Sequence, residues 1–200
     1  MHALSSVLGL PCWQVRWDSQ VGLDMNFGPP RIEVREPRKI HARSRRVKKL
    51  FASRRVMLRG SHWLILYPGR WRLELADGLV VRDSSSVKQL DMAVARLGGE
   101  KLQGVAIDSR TGSTTFYFDL GGRIVVRGGK ATGSAEQDEF WSLHARSRYV
   151  SVYSGGGYAT GSISSAETEI MPLDAQEPVI VARNARLRRE ILKKFLRRAV

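Results

Sequence analysis

Strict alternation marks Trp71-Arg72-Leu73-Glu74-Leu75, with the apolar members on one side of the chain and the charged members on the other. A period of two predicts a strand with one dry and one wet face. Similar stretches at 56–59, 63–67 and 79–82 are separated by Gly60-Ser61, Pro68-Gly69 and Asp77-Gly78, which predicts an antiparallel meander. The second half repeats the pattern at 114–120, 123–127, 140–144, 149–153 and 158–163. Between the halves the period changes. Ser86 is placed to cap a helix in which Val87, Leu90, Val94 and Leu97 fall on one face, and Gly98-Gly99 stops it. At the end of the chain Leu187, Ile191, Phe195 and Ala199 recur at four-residue steps beside Leu192 and Leu196, opposite Arg186, Arg189, Lys193 and Arg197, a basic amphipathic helix.

The chain also resembles itself. A hydrophobic residue, Asp and Ser start the stretch at Asp18-Ser19 and again at Asp108-Ser109, and each leads to Arg-Ile-x-Val-Arg, at 31–35 and at 123–127. Trp63 precedes Gly78, and Trp141 precedes Gly156, by the same number of residues. The order A-B-A′-B′ predicts two homologous β units, with Trp63 and Trp141 in equivalent buried sites. The first unit is longer, and its surplus falls on the basic stretch 38–59, which reads as an insertion. The expected fold is therefore mainly β (α+β), with internally duplicated antiparallel sheet or barrel-like units, one central helix and a basic C-terminal helix. The expected organisation is a β domain over 1–165 (units at 13–83 and 105–165, helix at 86–97), an acidic, proline-bearing linker over 166–182 and the basic helix over 183–200.

Two hundred residues with 42% hydrophobic content suffice for a real core. No apolar run approaches the length of a membrane span, and the start has no basic region before its apolar residues, so no export signal is expected. Cys12 is the single cysteine, which rules out an internal disulfide, and a reducing cytoplasm is the expected location. Charge changes the picture most. Ten Lys/Arg and no carboxylate lie between Arg38 and Arg59, and eight Lys/Arg face Glu190 alone between Arg183 and Val200. The net charge of +14 is thus local, because everything outside these two stretches sums to −3.

Catalytic signatures are missing from the sequence. Ile124 and Ala131 flank Gly129-Lys130 where a phosphate loop needs glycine and a hydroxyl residue. His2, His41, His62 and His144 are scattered, and neither a metal nor a cofactor is expected. Asp18 and Asp108 are the best carboxylate pair. Asp-Ser before a turn, however, is the chemistry of side chains that organise backbone amides.

The chain reads as a non-enzymatic binding module. Its predicted partner is a polyanion, most simply the phosphate backbone of nucleic acid, engaged by Arg38, Lys39, Arg43, Arg45, Arg46, Lys48, Lys49, Arg54 and Arg55 in the first stretch and by Arg186, Arg189, Lys193, Lys194, Arg197 and Arg198 in the second. One alternative is a small protein of the immunity or inhibitor type that covers an acidic protein partner. Another is peripheral attachment of the terminal helix to an anionic membrane.

Overall fold

The turn chemistry of the sequence is realised almost throughout, but the strands it joins are shared between two facing sheets. The computed structural model describes residues 2–39, 41, 48–49, 51–129, 138–146, 148–162, 170–173 and 178–196. In chain order these form α1 (His2–Val7), β1 (Cys12–Asp18), β2 (Gly22–Phe27), β3 (Arg31–Arg35), β4 (Arg55–Arg59), β5 (His62–Leu66), β6 (Trp71–Glu74), β7 (Val80–Arg82), α2 (Val87–Leu97), β8 (Leu102–Ile107), β9 (Thr114–Phe118) and β10 (Arg123–Val126). There follow β11 (Glu139–Ala145), β12 (Arg148–Tyr153), β13 (Gly157–Ser162), β14 (Met171–Pro172), β15 (Val179–Ala182) and α3 (Ala185–Leu196).

All pairings are antiparallel. One sheet runs β1-β2-β5-β11-β12-β13-β14, a second runs β15-β8-β9-β10-β6-β7, and β3 and β4 form a separate two-stranded ribbon. The mainly β expectation holds, and the predicted strands at 56–82 all appear. They do not form a continuous meander, however. β5 pairs with β2 and β11 in the larger sheet, and the Pro68-Gly69 turn then carries the chain across to β6 in the smaller one. Composition explains why β5 is central. Leu64 and Leu66 enter the core on one face, while Ile65 on the other face is also buried, so neither face can be left to water.

The core lies between the sheets. Leu23, Met25, Phe27, Leu64, Leu66, Trp141, Leu143, Val150 and Val152 of the larger sheet join one cluster with Leu73, Val105, Ile107, Phe116, Ile124 and Val126 of the smaller. Trp141 is fully buried and meets Phe116 edge-on at 5.3 Å. Its indole N–H donates to Thr114 Oγ1 at 2.9 Å, so the largest side chain in the core is polar-satisfied as well as packed.

Helix α2 begins as predicted. Ser86 accepts from the Gln89 amide while the Gln89 side chain accepts from the Ser86 amide, which satisfies two otherwise orphan donors. Leu90, Ala93, Val94 and Leu97 are buried, and the helix packs on β1 and β7 at the open edges of the two sheets. α1 packs on β11, β12 and β15. The stretch 166–182 differs from the linker expected of it, because Met171–Pro172 pairs with β13 and Val179–Ala182 with β8, each as an edge strand. Residues 163–169 and 174–177 lie outside the described residues.

Evidence for the duplication is divided. Asp18 Oδ1 accepts from the Gln20 and Val21 amides, and Asp108 Oδ1 accepts from the Arg110 and Thr111 amides, so the two hairpins close with the same turn. The repeated Arg-Ile-x-Val-Arg motif, in contrast, lies in an exposed ribbon as β3 and inside the smaller sheet as β10. Trp63 and Trp141 are not equivalent either. The register sets Trp141 opposite Leu66 and Trp63 opposite His144, so the two rings occupy opposite faces of one sheet. Replacing Trp141 by Ala is expected to cost roughly 3–5 kcal/mol in urea unfolding, and replacing half-buried Trp63 clearly less. Equal losses would contradict this placement.

Candidate functional site: a basic arm folded over the sheet

The feature that departs most from an ordinary sandwich is a single long hairpin. β2 and β5 are its base, paired from Leu23↔Leu66 to Phe27↔His62. β3 and β4 are its distal half, paired from Arg31↔Arg59 to Arg35↔Arg55. Between the halves lie Gly28-Pro29-Pro30 on one strand and Gly60-Ser61 on the other. Proline donates no hydrogen bond and Gly28 takes a φ of 72°, so the ladder is interrupted there and the distal half leaves the sheet.

The arm is folded over the outer face of the larger sheet. Arg59 stacks on Trp63, its guanidinium carbon 3.8 Å from the ring centroid. Trp63 in turn neighbours His144 at 5.4 Å, and His144 neighbours Tyr149 at 6.1 Å, so an aromatic row crosses three strands. Between arm and sheet is a cleft of about 260 Å³ lined by Arg31, Glu33, Arg35, Arg59, Gly60, Ser61, Trp63, His144 and Arg146. Glu33 bonds Arg35 at 2.8 Å and lies 3.8 Å from Arg59. Burial lowers the Arg59 pKa, with Glu33 opposing that shift.

The two faces of the arm differ in chemistry. Arg31, Glu33, Arg35, Arg55, Met57 and Arg59 alternate with Ile32, Val34, Val56 and Leu58. The apolar set points to solvent, with Ile32 72% and Val56 66% exposed. Leu58 continues into a groove lined by Leu10, Pro11, Trp13, Pro29 and Pro30.

Most of the first predicted cation set lies at the distal end of the arm. Arg38, Lys39, Lys48, Lys49 and Arg54 are exposed, and Arg55 is half-buried at the start of β4. The Arg38 amide donates to Phe51 O at 2.8 Å and its guanidinium lies 4.7 Å from the Phe51 ring, which draws the two sides of the tip together. Arg54 pairs with Glu36, but both are more than 60% exposed, so the pair neutralises little. Arg43, Arg45 and Arg46 lie outside the described residues.

The second set is on α3. Arg186, Arg189 and Lys193 are exposed, and Arg186 bonds Glu190 at 3.1 Å. Ile191 is buried over Gly104, where any side chain would collide with it, so the apolar stripe docks on β8 and β15 and turns the basic face outward. The Lys194 side chain, Arg197 and Arg198 lie outside the described residues. The two cation sets are therefore carried by different sheets.

Sequence reasoning missed the cleft. Arg31 and Arg35 were visible only as a repeat motif, and nothing in the order of residues joins Arg146 to Arg31. The alternation of arginine with valine, leucine and isoleucine in β3 and β4 was the one available signal. Elsewhere, Asp18 and Asp108 are turn-formers as expected. Cys12 is buried, and burial pushes its thiol up to about 12, which makes it a poor nucleophile at neutral pH. Among the described residues no group of three or more His, Cys, Asp and Glu could hold a metal ion. No helix among them is long and apolar enough to cross a membrane. No family model matches the chain, and no curated protein or solved structure matches it.

Two histidines lie at the base of the arm and beneath it. His62 Nε2 is 2.8 Å from Ser6 Oγ and its Nδ1 is 3.0 Å from Ser61 Oγ, joining α1 to the break in the hairpin. His144 Nε2 is 3.2 Å from Ser142 Oγ. Burial lowers both pKa values, assisted by Arg146 at His62 and by Arg59 at His144. The unfolded chain then binds protons first as pH falls, so these groups stabilise the fold above the ordinary histidine value of 6.5 and that stability is lost as pH drops below it. Thermal melts from about pH 7.5 to 5 are expected to decline more steeply for the wild type than for the His62→Gln/His144→Gln variant. Parallel declines would refute the assignment.

Proposed function

We propose that the protein is a non-enzymatic binding module that engages the phosphate backbone of nucleic acid, with the basic arm as the principal contact and α3 as a separate one. The observation that carries this reading is the concentration of cations on a two-stranded ribbon outside the sandwich. At its distal end six described Lys/Arg, from Arg38 to Arg55, face only Glu36. A two-stranded ribbon has the width to enter a major groove. Cations held away from the protein body release counterions from DNA without desolvating a binding pocket. The sequence carries no helix-turn-helix, finger or RNA-recognition signature, so the proposed contact is to the backbone and independent of sequence.

A second reading has its own observation. The exposed face made by Ile32, Val34, Val56 and Leu58 offers nothing to a phosphate, and it favours an acidic protein partner that covers apolar surface with a carboxylate rim.

Titration with duplex DNA and RNA at two salt concentrations separates the two. Binding is expected to weaken with salt by about 0.9 in log–log slope per neutralised phosphate. Arg38→Gln/Lys39→Gln/Lys48→Gln/Lys49→Gln should reduce the slope by several units, and Arg186→Gln/Arg189→Gln/Lys193→Gln by fewer. Point substitutions are preferable to removing α3, because Ile191 covers the sheet. No affinity at about 50 mM salt for either nucleic acid would overturn the proposal.

A further inference from the structure

The cleft between arm and sheet is distinct from the tip that the proposed function uses. Four guanidinium groups line it against one carboxylate, Glu33, and His144 is held neutral. Among the described residues Arg31 and Arg146 have no carboxylate partner. Glu33 is already committed to Arg35 and stands beyond hydrogen-bonding distance from Arg59. The surplus of positive charge is therefore about three, confined within 260 Å³.

A second observation is independent of charge. Arg59 Nε, a buried donor of the guanidinium that lines the cleft, has no hydrogen-bond partner. Buried polar groups are almost always satisfied, and an orphaned guanidinium donor lining a cleft is one that an anion entering from outside can satisfy. A third is backbone strain. Arg146 has a φ of 54°, a left-handed conformation that costs a non-glycine residue energy, and it sits at the β11–β12 turn on the rim of the cleft.

The ligand class follows from the donors. Guanidinium forks match the oxygens of phosphate in pairs. A dianion balances a surplus of this size better than a carboxylate, and a phosphate monoester is close to doubly charged at neutral pH. The aromatic floor limits the depth to which the group enters, and the open rim leaves room for whatever the phosphate is attached to. We propose that this cleft is a binding site for a phosphate monoester, gripped by Arg31, Arg35, Arg59 and Arg146 above Trp63 and His144. The monoester can come from a free nucleotide or from the 5′ end of a nucleic acid strand, and the chemistry of the grip is the same for both.

Calorimetric titration of the full chain with inorganic phosphate, pyrophosphate, AMP and adenosine, and with a short oligonucleotide bearing either a 5′-phosphate or a 5′-hydroxyl, tests the site. Saturable binding of AMP and pyrophosphate, none of adenosine, and quenching of Trp63 fluorescence that is lost in Trp63→Phe are expected. Arg31→Gln/Arg146→Gln alters two exposed side chains and should weaken AMP at least about tenfold while leaving the melting temperature in place. The tip variant described above should leave AMP binding unchanged, so failure of the nucleic-acid reading and failure of this one are distinguishable. A 5′-phosphate oligonucleotide that binds more tightly than both AMP and its 5′-hydroxyl counterpart identifies the strand end as the source. AMP binding as tightly as the phosphorylated strand identifies the free nucleotide. Equal binding of phosphorylated and unphosphorylated probes, or AMP affinity indifferent to Arg31→Gln/Arg146→Gln, overturns the proposal.

Discussion

One extra residue in the long hairpin sets the geometry of the arm. From Phe27↔His62 to Arg31↔Arg59 the chain uses Gly28, Pro29 and Pro30 on one side but only Gly60 and Ser61 on the other. Three residues opposing two is a bulge, and a shift of one reverses which face a strand presents. β4 keeps the alternation of β5, which puts Arg59 on the same side as Trp63, four residues on. β3 is offset relative to β2, so Arg31, Glu33 and Arg35 join Arg59 rather than the core face. Were the ladder continued in regular register from Phe27↔His62, Pro30 would stand opposite Arg59, Ile32 and Val34 would share its side, and the cleft would have neither its carboxylate nor half its guanidinium groups. The prolines also keep the interruption open, since neither can restore a ladder bond.

Local structure was legible in the sequence because local chemistry determines it. Ser86 announced a helix start, Asp18 and Asp108 announced turns, and alternation located the strands to within a residue or two. Partnership between strands was not legible, because hydrogen-bonding groups on the backbone are the same in every strand. Pro68-Gly69 reads equally well as a hairpin turn and as a crossing between sheets. The choice was made by Ile65, which needs cover on the second face of β5, and by β11, a strand more than seventy residues further along the chain. Trp63 and Trp141 show the same limit. Their spacing to a following glycine is identical, yet pairing places one between the sheets and the other on the outside, under Arg59.

Charge and fold are separated in this molecule to an unusual degree. The sandwich is held by apolar contact and by polar groups satisfied at short range, such as Trp141 on Thr114 and Glu100, whose buried carboxylate accepts from the Gly122 amide at 3.0 Å. Its ionic network on the smaller sheet, Arg72 and Arg123 about Glu74, is half-buried and nearly balanced. Outside the cleft, the unbalanced cations are on the arm tip and on the outward face of α3. Their mutual repulsion is therefore spent in solvent, where screening over about 8 Å at physiological salt weakens it, rather than within the core. Neutralising them is expected to leave the fold undisturbed for this reason, which makes them suitable positions for testing binding.

The arm reverses the usual assignment of faces. A ribbon lying on a sheet gains about 25 cal/mol for each Å² of apolar surface it covers, so Ile32, Val34, Val56 and Leu58 would ordinarily face inward. Here they face water and the charged face is inside. Cation–π contact between Arg59 and Trp63 contributes on the order of 0.5–2 kcal/mol, and Glu33 bridges Arg35 toward Arg59. These terms are small beside the burial that is forgone, and the buried Arg59 Nε on the covered face is left without a partner. The orientation is thus held by the bulge and the prolines against a local gradient. A covalent constraint that keeps apolar residues outward and polar ones unsatisfied leaves both faces of the arm with unmet chemistry: surface to be covered on one side and charge to be neutralised on the other. Each is a term that binding can supply and folding alone cannot, which is the physical ground for proposing the arm, and not the sandwich that carries it, as the contact surface.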